Sequence, residues 1–168
     1  MTLNNLEDLF VEQLRDLYSA ETQILVALPE MAEAATSDEL RKAFESHLKE
    51  TRSQKKRLEK IFETLGEDPE GETCEGMKGL LEEGSEMLEK DGDRNVIDAG
   101  IIAAAQRVEH YEISGYGTAR AYAERLGHDD AVGLLDESLD EESAANEKLT
   151  KIAESTVNPK ATGAAARA

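Results

Sequence analysis

Six residues of this chain have the side chains and the spacing of metal ligands: Glu21, His47, Glu50, Glu109, Glu112 and Glu142. Each lies on or beside a stripe of apolar residues repeating in steps of three and four, the signature of a helix with one buried face. The run from Asn95 to Leu126 shows it most clearly. Ile97, Ile101, Ala104, Val108, Gly115, Ala119, Tyr122 and Leu126 mark the stripe, and Glu109 and Glu112 interrupt its middle. Three residues apart, these two carboxylates share one helix face. A carboxylate in an apolar seam is costly unless it is paired or bound to a metal.

Three other long helices are needed to bring the remaining candidates into place. The first is expected from about Leu6 to Ala35, opened by an Asn4-x-x-Glu7 capping box. Its stripe of Phe10, Leu14, Leu17, Ile24, Leu28 and Met31 is broken by Glu21, and Pro29 should bend its last third. A second capping box, Thr36-x-x-Glu39, starts a helix that runs from about Asp38 to Leu65, with Gly66 as its C-cap. Here Leu40 and Phe44 lead into His47, Thr51 and Gln54 before Leu58, Ile61 and Leu65 resume the stripe. Glu50 stands one turn from His47, while Lys49, Arg52, Lys55, Lys56 and Arg57 form the wet face. The last long helix spans about Asp129 to Glu154, capped by His128-Asp129-Asp130. Glu142 takes a stripe position after Val132, Leu135 and Leu139, whereas Glu141 is rotated about 100° away. Between the second and third long helices, the turn-rich Gly66–Gly92 stretch carries a short amphipathic helix, about Thr73 to Lys90. Thr156 to Ala168 reads as a loose tail, so residues 1–155 form the domain and 156–168 follow it.

Two helix pairs joined by a long crossover define an all-α fold, a ferritin-like four-helix bundle whose crossover carries a short extra helix. The breaks in the four stripes then fall at similar depth, and the six candidates converge. Carboxylates and an imidazole pointing inward from four helices suit a pair of iron or manganese ions. His110 is turned about 100° from Glu109 and is expected at a helix boundary or a subunit interface. Tyr116 reads as a core tyrosine with a bonded hydroxyl, and Gly115 and Gly117 as points of close helix approach.

Composition narrows the function classes. A chain of 168 residues with 33% charged and 4% aromatic residues and three prolines suits one helical domain. The net charge of −18 argues against nucleic-acid binding, which needs a basic patch. The acidity suits a solvated surface, with salt adaptation as a sharper alternative. No apolar run approaches the ~20 residues of a membrane span, and no signal peptide is seen, so a cytoplasmic location is expected. The single Cys74 excludes an intrachain disulfide and a cysteine zinc cluster.

Four segments, in order, resemble the YciF-like stress proteins. They are Ala20-Glu21-Thr22-Gln23; Ser46-His47-Leu48-Lys49-Glu50-Thr51 followed by Gln54, Leu58 and Phe62; Val108-Glu109-His110-Tyr111-Glu112-Ile113 followed by Tyr116-Gly117 and Ala123–Gly127; and Leu139-Asp140-Glu141-Glu142. The resemblance implies a ferritin-like bundle, a homodimer, and a rubrerythrin-like dinuclear site. Two departures from the wider ferritin-like pattern stand out. His47-x-x-Glu50 reverses the usual Glu-x-x-His order, and Ala145 occupies the place of a second histidine after Glu142. The favoured reading is a dinuclear protein, iron before manganese, that reacts with oxygen or peroxide in stress protection. Glu50 and Glu142 are expected as bridges, and Glu21, His47, Glu109 and Glu112 as terminal ligands or a mobile carboxylate. The alternatives are a stress-associated structural or interaction protein whose metal only rigidifies the bundle, and a metal-free bundle with an internal hydrogen-bond network.

Overall fold

The computed structural model describes residues 2–163, and all regular structure among them is helical. Four long helices, α1 (Leu6–Ala34), α2 (Asp38–Leu65), α4 (Arg94–Leu126) and α5 (Asp129–Ile152), form the bundle, and α3 (Glu75–Leu88) lies on the crossover. Helix α1 packs on α2 and α4, and α5 packs on the same two from the other side; α3 covers α1 and α4. Helices α2 and α4 are therefore diagonal partners, which is why their connection must be long. No helix is long and apolar enough to cross a membrane among the described residues.

Local chemistry sets the ends. Gly66 and Gly127 end α2 and α4 with φ of 69° and 82°, a left-handed conformation that costs glycine little. Both expected capping boxes shift by one residue. Asn5, not Asn4, caps α1 by accepting from the Asp8 amide at 2.9 Å. At α2 the cap is Ser37, because the amides of Thr36 and Ser37 are taken by a carboxylate from another helix. That carboxylate is Asp98 of α4, buried, which accepts the two amides at 2.9 and 2.8 Å and so ties the α1–α2 turn to the opposite pair. The Asp98→Ala variant is expected to lose about 3 kcal/mol in a urea melt, since two amides would lose a charged acceptor. His128 does not cap α5 with its side chain. Its ring instead stacks on Phe10 and bonds Glu7 at 2.8 Å.

Two further expectations change. The loose tail does not begin at Thr156: a π-helical turn (Ala153–Val157) leads into α6 (Asn158–Ala161). Burial of Val157 against the core holds this segment, and residues 164–168 lie outside the described ones. Gly115 does mark a close approach, since a Cβ there would meet Leu17 at 2.7 Å, but nothing lies within 4 Å at Gly117. Helix α1 continues through Pro29.

The apolar core falls into two parts. One gathers Phe10, Leu14, Leu58, Phe62 and Leu135; the other gathers Ile24, Leu28, Leu40, Phe44 and Ile101. The polar residues Glu21, His47, Gln54, Glu109, Glu112 and Glu142 are buried at levels of the four long helices that fall between these two sets in sequence.

Candidate metal centre

The four stripe-breaking acids Glu21, Glu109, Glu112 and Glu142 are all buried, as is His47. Ligand atoms of His47, Glu109, Glu112 and Glu142 lie within 4.8 Å of one another, an arrangement that can hold a metal ion. The imidazole is the hinge of this group. Its Nε2 is 3.4 Å from Glu109 Oε2 and 3.7 Å from Glu142 Oε2, close but without hydrogen-bond geometry. His110, by contrast, is exposed.

Glu50 takes a different place from the expected bridge. Its carboxylate sits 3.3 Å from His47 Nδ1, the ring nitrogen other than the one facing Glu109 and Glu142, and its side chain is 38% exposed. The i,i+3 spacing puts it beside the ring rather than beyond it. With Nδ1–H donating to Glu50, the Nε2 lone pair is left for a ligand, the usual arrangement of a metal-binding histidine and its carboxylate support.

Three partners emerge that the sequence did not mark as part of the site. Tyr116 is fully buried and donates its hydroxyl to Glu21 Oε1, which fulfils the expected bonded core tyrosine and names its acceptor. Gln54, read only as a polar member of the α2 stripe, donates its amide to Glu142 Oε1. Arg57, expected on the wet face, grips Glu141 at 2.7 Å and Glu137 at 2.6 Å. Glu141 is thereby held in an ion pair, as the rotation from Glu142 required. No local signal reveals these pairings; Gln54 and Arg57 meet α5 residues eighty or more positions away.

One oxygen of Glu21 and one of Glu142 is thus anchored, and the other is free. Glu21 Oε2, His47 Nε2, Glu109 Oε2, both Glu112 oxygens and Glu142 Oε2 are buried and lack hydrogen-bond partners. Buried polar atoms are normally satisfied, so a cluster of orphans calls for a cation or protons. Burial, reinforced by the charge of Glu142, raises the pKa values of Glu21 and Glu112 well above the usual carboxylate value. Burial and the Glu142 carboxyl do the same at Glu109. Burial acts to lower the His47 pKa, but the Glu50 hydrogen bond and the charge of Glu142 outweigh it and hold it above normal. Glu50 itself is lowered, chiefly by the hydrogen bond with His47. The donor set therefore fits metal ions: hard oxygens and one imidazole, inward-facing, with four buried carboxylates.

A ferritin-like bundle with a buried histidine–carboxylate cluster is the class that fold and site define. Within it, the family model described as a domain of unknown function, DUF892, matches residues 5–162. The chain is 43% identical over 162 residues to protein YciF of Escherichia coli (strain K12), covering 96% of this chain and 98% of that one. The crystal structure of that E. coli stress protein superimposes with a TM-score of 0.90, over 94% of this chain and 100% of the other. YcfI from Rhodopseudomonas palustris, for which a structural role has been suggested, gives a TM-score of 0.85 at 49% identity, over 88% of this chain and 94% of its own. The chain belongs to the DUF892 family and is a relative of YciF.

Proposed function

We propose that the protein binds two iron or manganese ions per chain and reacts with oxygen or peroxide, a stress-protective activity. The observation that supports this most is the set of orphaned donor atoms on Glu21, His47, Glu109, Glu112 and Glu142. Four buried carboxylates carry four negative charges when ionised, which two divalent ions would neutralise. Glu21, His47, Glu109, Glu112 and Glu142 would hold the ions, with Glu50 outside them. Tyr116 orients Glu21, Gln54 orients Glu142, and Glu50 selects the His47 tautomer. Bound there, the ions would supply electrons and open coordination positions to an oxidant. The kinship with an E. coli stress protein supports the protective role.

A purely structural metal is the second reading, favoured by the role suggested for the R. palustris relative. Stopped-flow mixing of ferrous-loaded protein with oxygen, and separately with hydrogen peroxide, distinguishes the two. Iron oxidation faster than that of free ferrous ion is expected with at least one oxidant. Metal-dependent melting with oxidation no faster than in buffer would establish the structural reading instead.

A further inference from the structure

A cleft of about 130 Å³ between α2 and α5 reaches the site. His47 and Glu109 line it, and both are buried residues with an unpartnered donor atom. Phe44 and Ala145 also line it, as does the exposed Ala144. Ala145 follows Glu142 by three residues, so the two share a face of α5. A histidine in that position, completing a Glu-x-x-His pair, would occupy space that the alanine leaves open. A second void touching His47 and Glu109 is lined by Ile24, Ala27, Met31 and Leu81 and measures about 10 Å³. That is at most about one water, too small to seat an alkyl peroxide.

Resting on the dinuclear reading above, we propose that the α2–α5 cleft is the port and seat of the oxidant, and that Ala145 sets its size limit. An engineered cavity of about 150 Å³ holds benzene, so the cleft encloses roughly six non-hydrogen atoms of a ligand. The substrate class is then hydrogen peroxide and small alkyl hydroperoxides, tert-butyl hydroperoxide being at the limit and cumene hydroperoxide beyond it. Reduction of such a peroxide, ROOH, breaks its O–O bond. It consumes two protons and two electrons, which two bound ferrous ions would supply one each, and yields ROH and water.

The test uses three variants: A145L in the wall, A144L at the exposed edge where folding is not at stake, and A27L beside the small void as control. Each is loaded with cobalt(II), its metal content is measured, and azide binding is followed by the visible cobalt bands. A145L and A144L are expected to bind azide at least about tenfold more weakly at unchanged cobalt content, and A27L to match the parent. Ferrous-loaded parent protein should be oxidised by hydrogen peroxide and tert-butyl hydroperoxide, with cumene hydroperoxide at least about tenfold slower. If A145L fails to hold cobalt, A144L decides alone. Parent-like azide binding in A144L, a loss confined to A27L, or equal rates with cumene hydroperoxide and hydrogen peroxide would overturn the port while leaving the metal site standing. Failure of the parent protein to take up cobalt would overturn the dinuclear reading and the port together.

Discussion

The Glu142→Ala variant is expected to lose at least one metal ion per chain while keeping its helix content. Glu142 is fully buried, its Oε2 is free, and it lies 3.7 Å from His47 Nε2. Its charge also bears on Glu21, Glu109 and Glu112, so it is the carboxylate common to the whole cluster. Without metal, burial and crowding make these acids costly to ionise, so removing one relieves the cluster. Metal loss should therefore appear without matching loss of fold. Glu141→Ala should retain the metal, because Glu141 is engaged by Arg57. Glu50→Ala should give an intermediate result, weakening binding by about 10- to 100-fold as loss of a histidine's supporting carboxylate usually does. Metal stoichiometry measured beside circular dichroism checks all three. Metal retained by Glu142→Ala and lost from Glu141→Ala would place the site on the other face of α5.

The second large effect is an inverted pH dependence of the metal-free protein. Glu21, Glu109 and Glu112 have folded pKa values raised by burial and by neighbouring acids. Below the unfolded glutamate value of about 4.3 they are protonated in both states and cost nothing. As pH rises from there, the unfolded chain releases protons that the folded chain retains, and stability falls until pH passes the folded values. His47, also raised, contributes in the same direction, its part being lost as pH rises through its folded value. Glu50, lowered by His47, opposes them with stability gained above the unfolded glutamate value, but it is one half-exposed group against four buried ones. The metal-free protein should melt at a higher temperature near pH 5 than near pH 8, and metal should reverse that order because it replaces the protons. Thermal melts at the two pH values, with and without ferrous or manganous ion, are the check. A metal-free protein that melts higher near pH 8 would contradict the assigned protonation.

Much of this was legible in the sequence, because helical periodicity reports which face is buried. Glu21, Glu109, Glu112 and Glu142 interrupt apolar stripes, and all four are buried in the structure. The helix bounds followed from glycine caps, and α2 begins and ends as expected at Asp38 and Leu65. Periodicity gives a direction around a helix but not the rotamer, so it could not show that Glu50 turns to Nδ1 of His47. Nor does it report long-range partners. Asp98 clamps amides more than sixty residues away, and Arg57 looked like one more solvated cation among its neighbours. The helical continuation past Ala153 was hidden because its small and polar residues resemble a tail, and only the burial of Val157 explains it.

The proposed dinuclear centre places two metal ions among Glu21, His47, Glu109, Glu112 and Glu142. Anomalous diffraction at the iron edge, from crystals of protein loaded with ferrous ion without oxygen, tests it most directly. Two anomalous peaks are predicted, both within bonding distance of these side chains and with His47 bound through Nε2. A map with no peak at this centre, or with peaks only at the acidic surface, would contradict it.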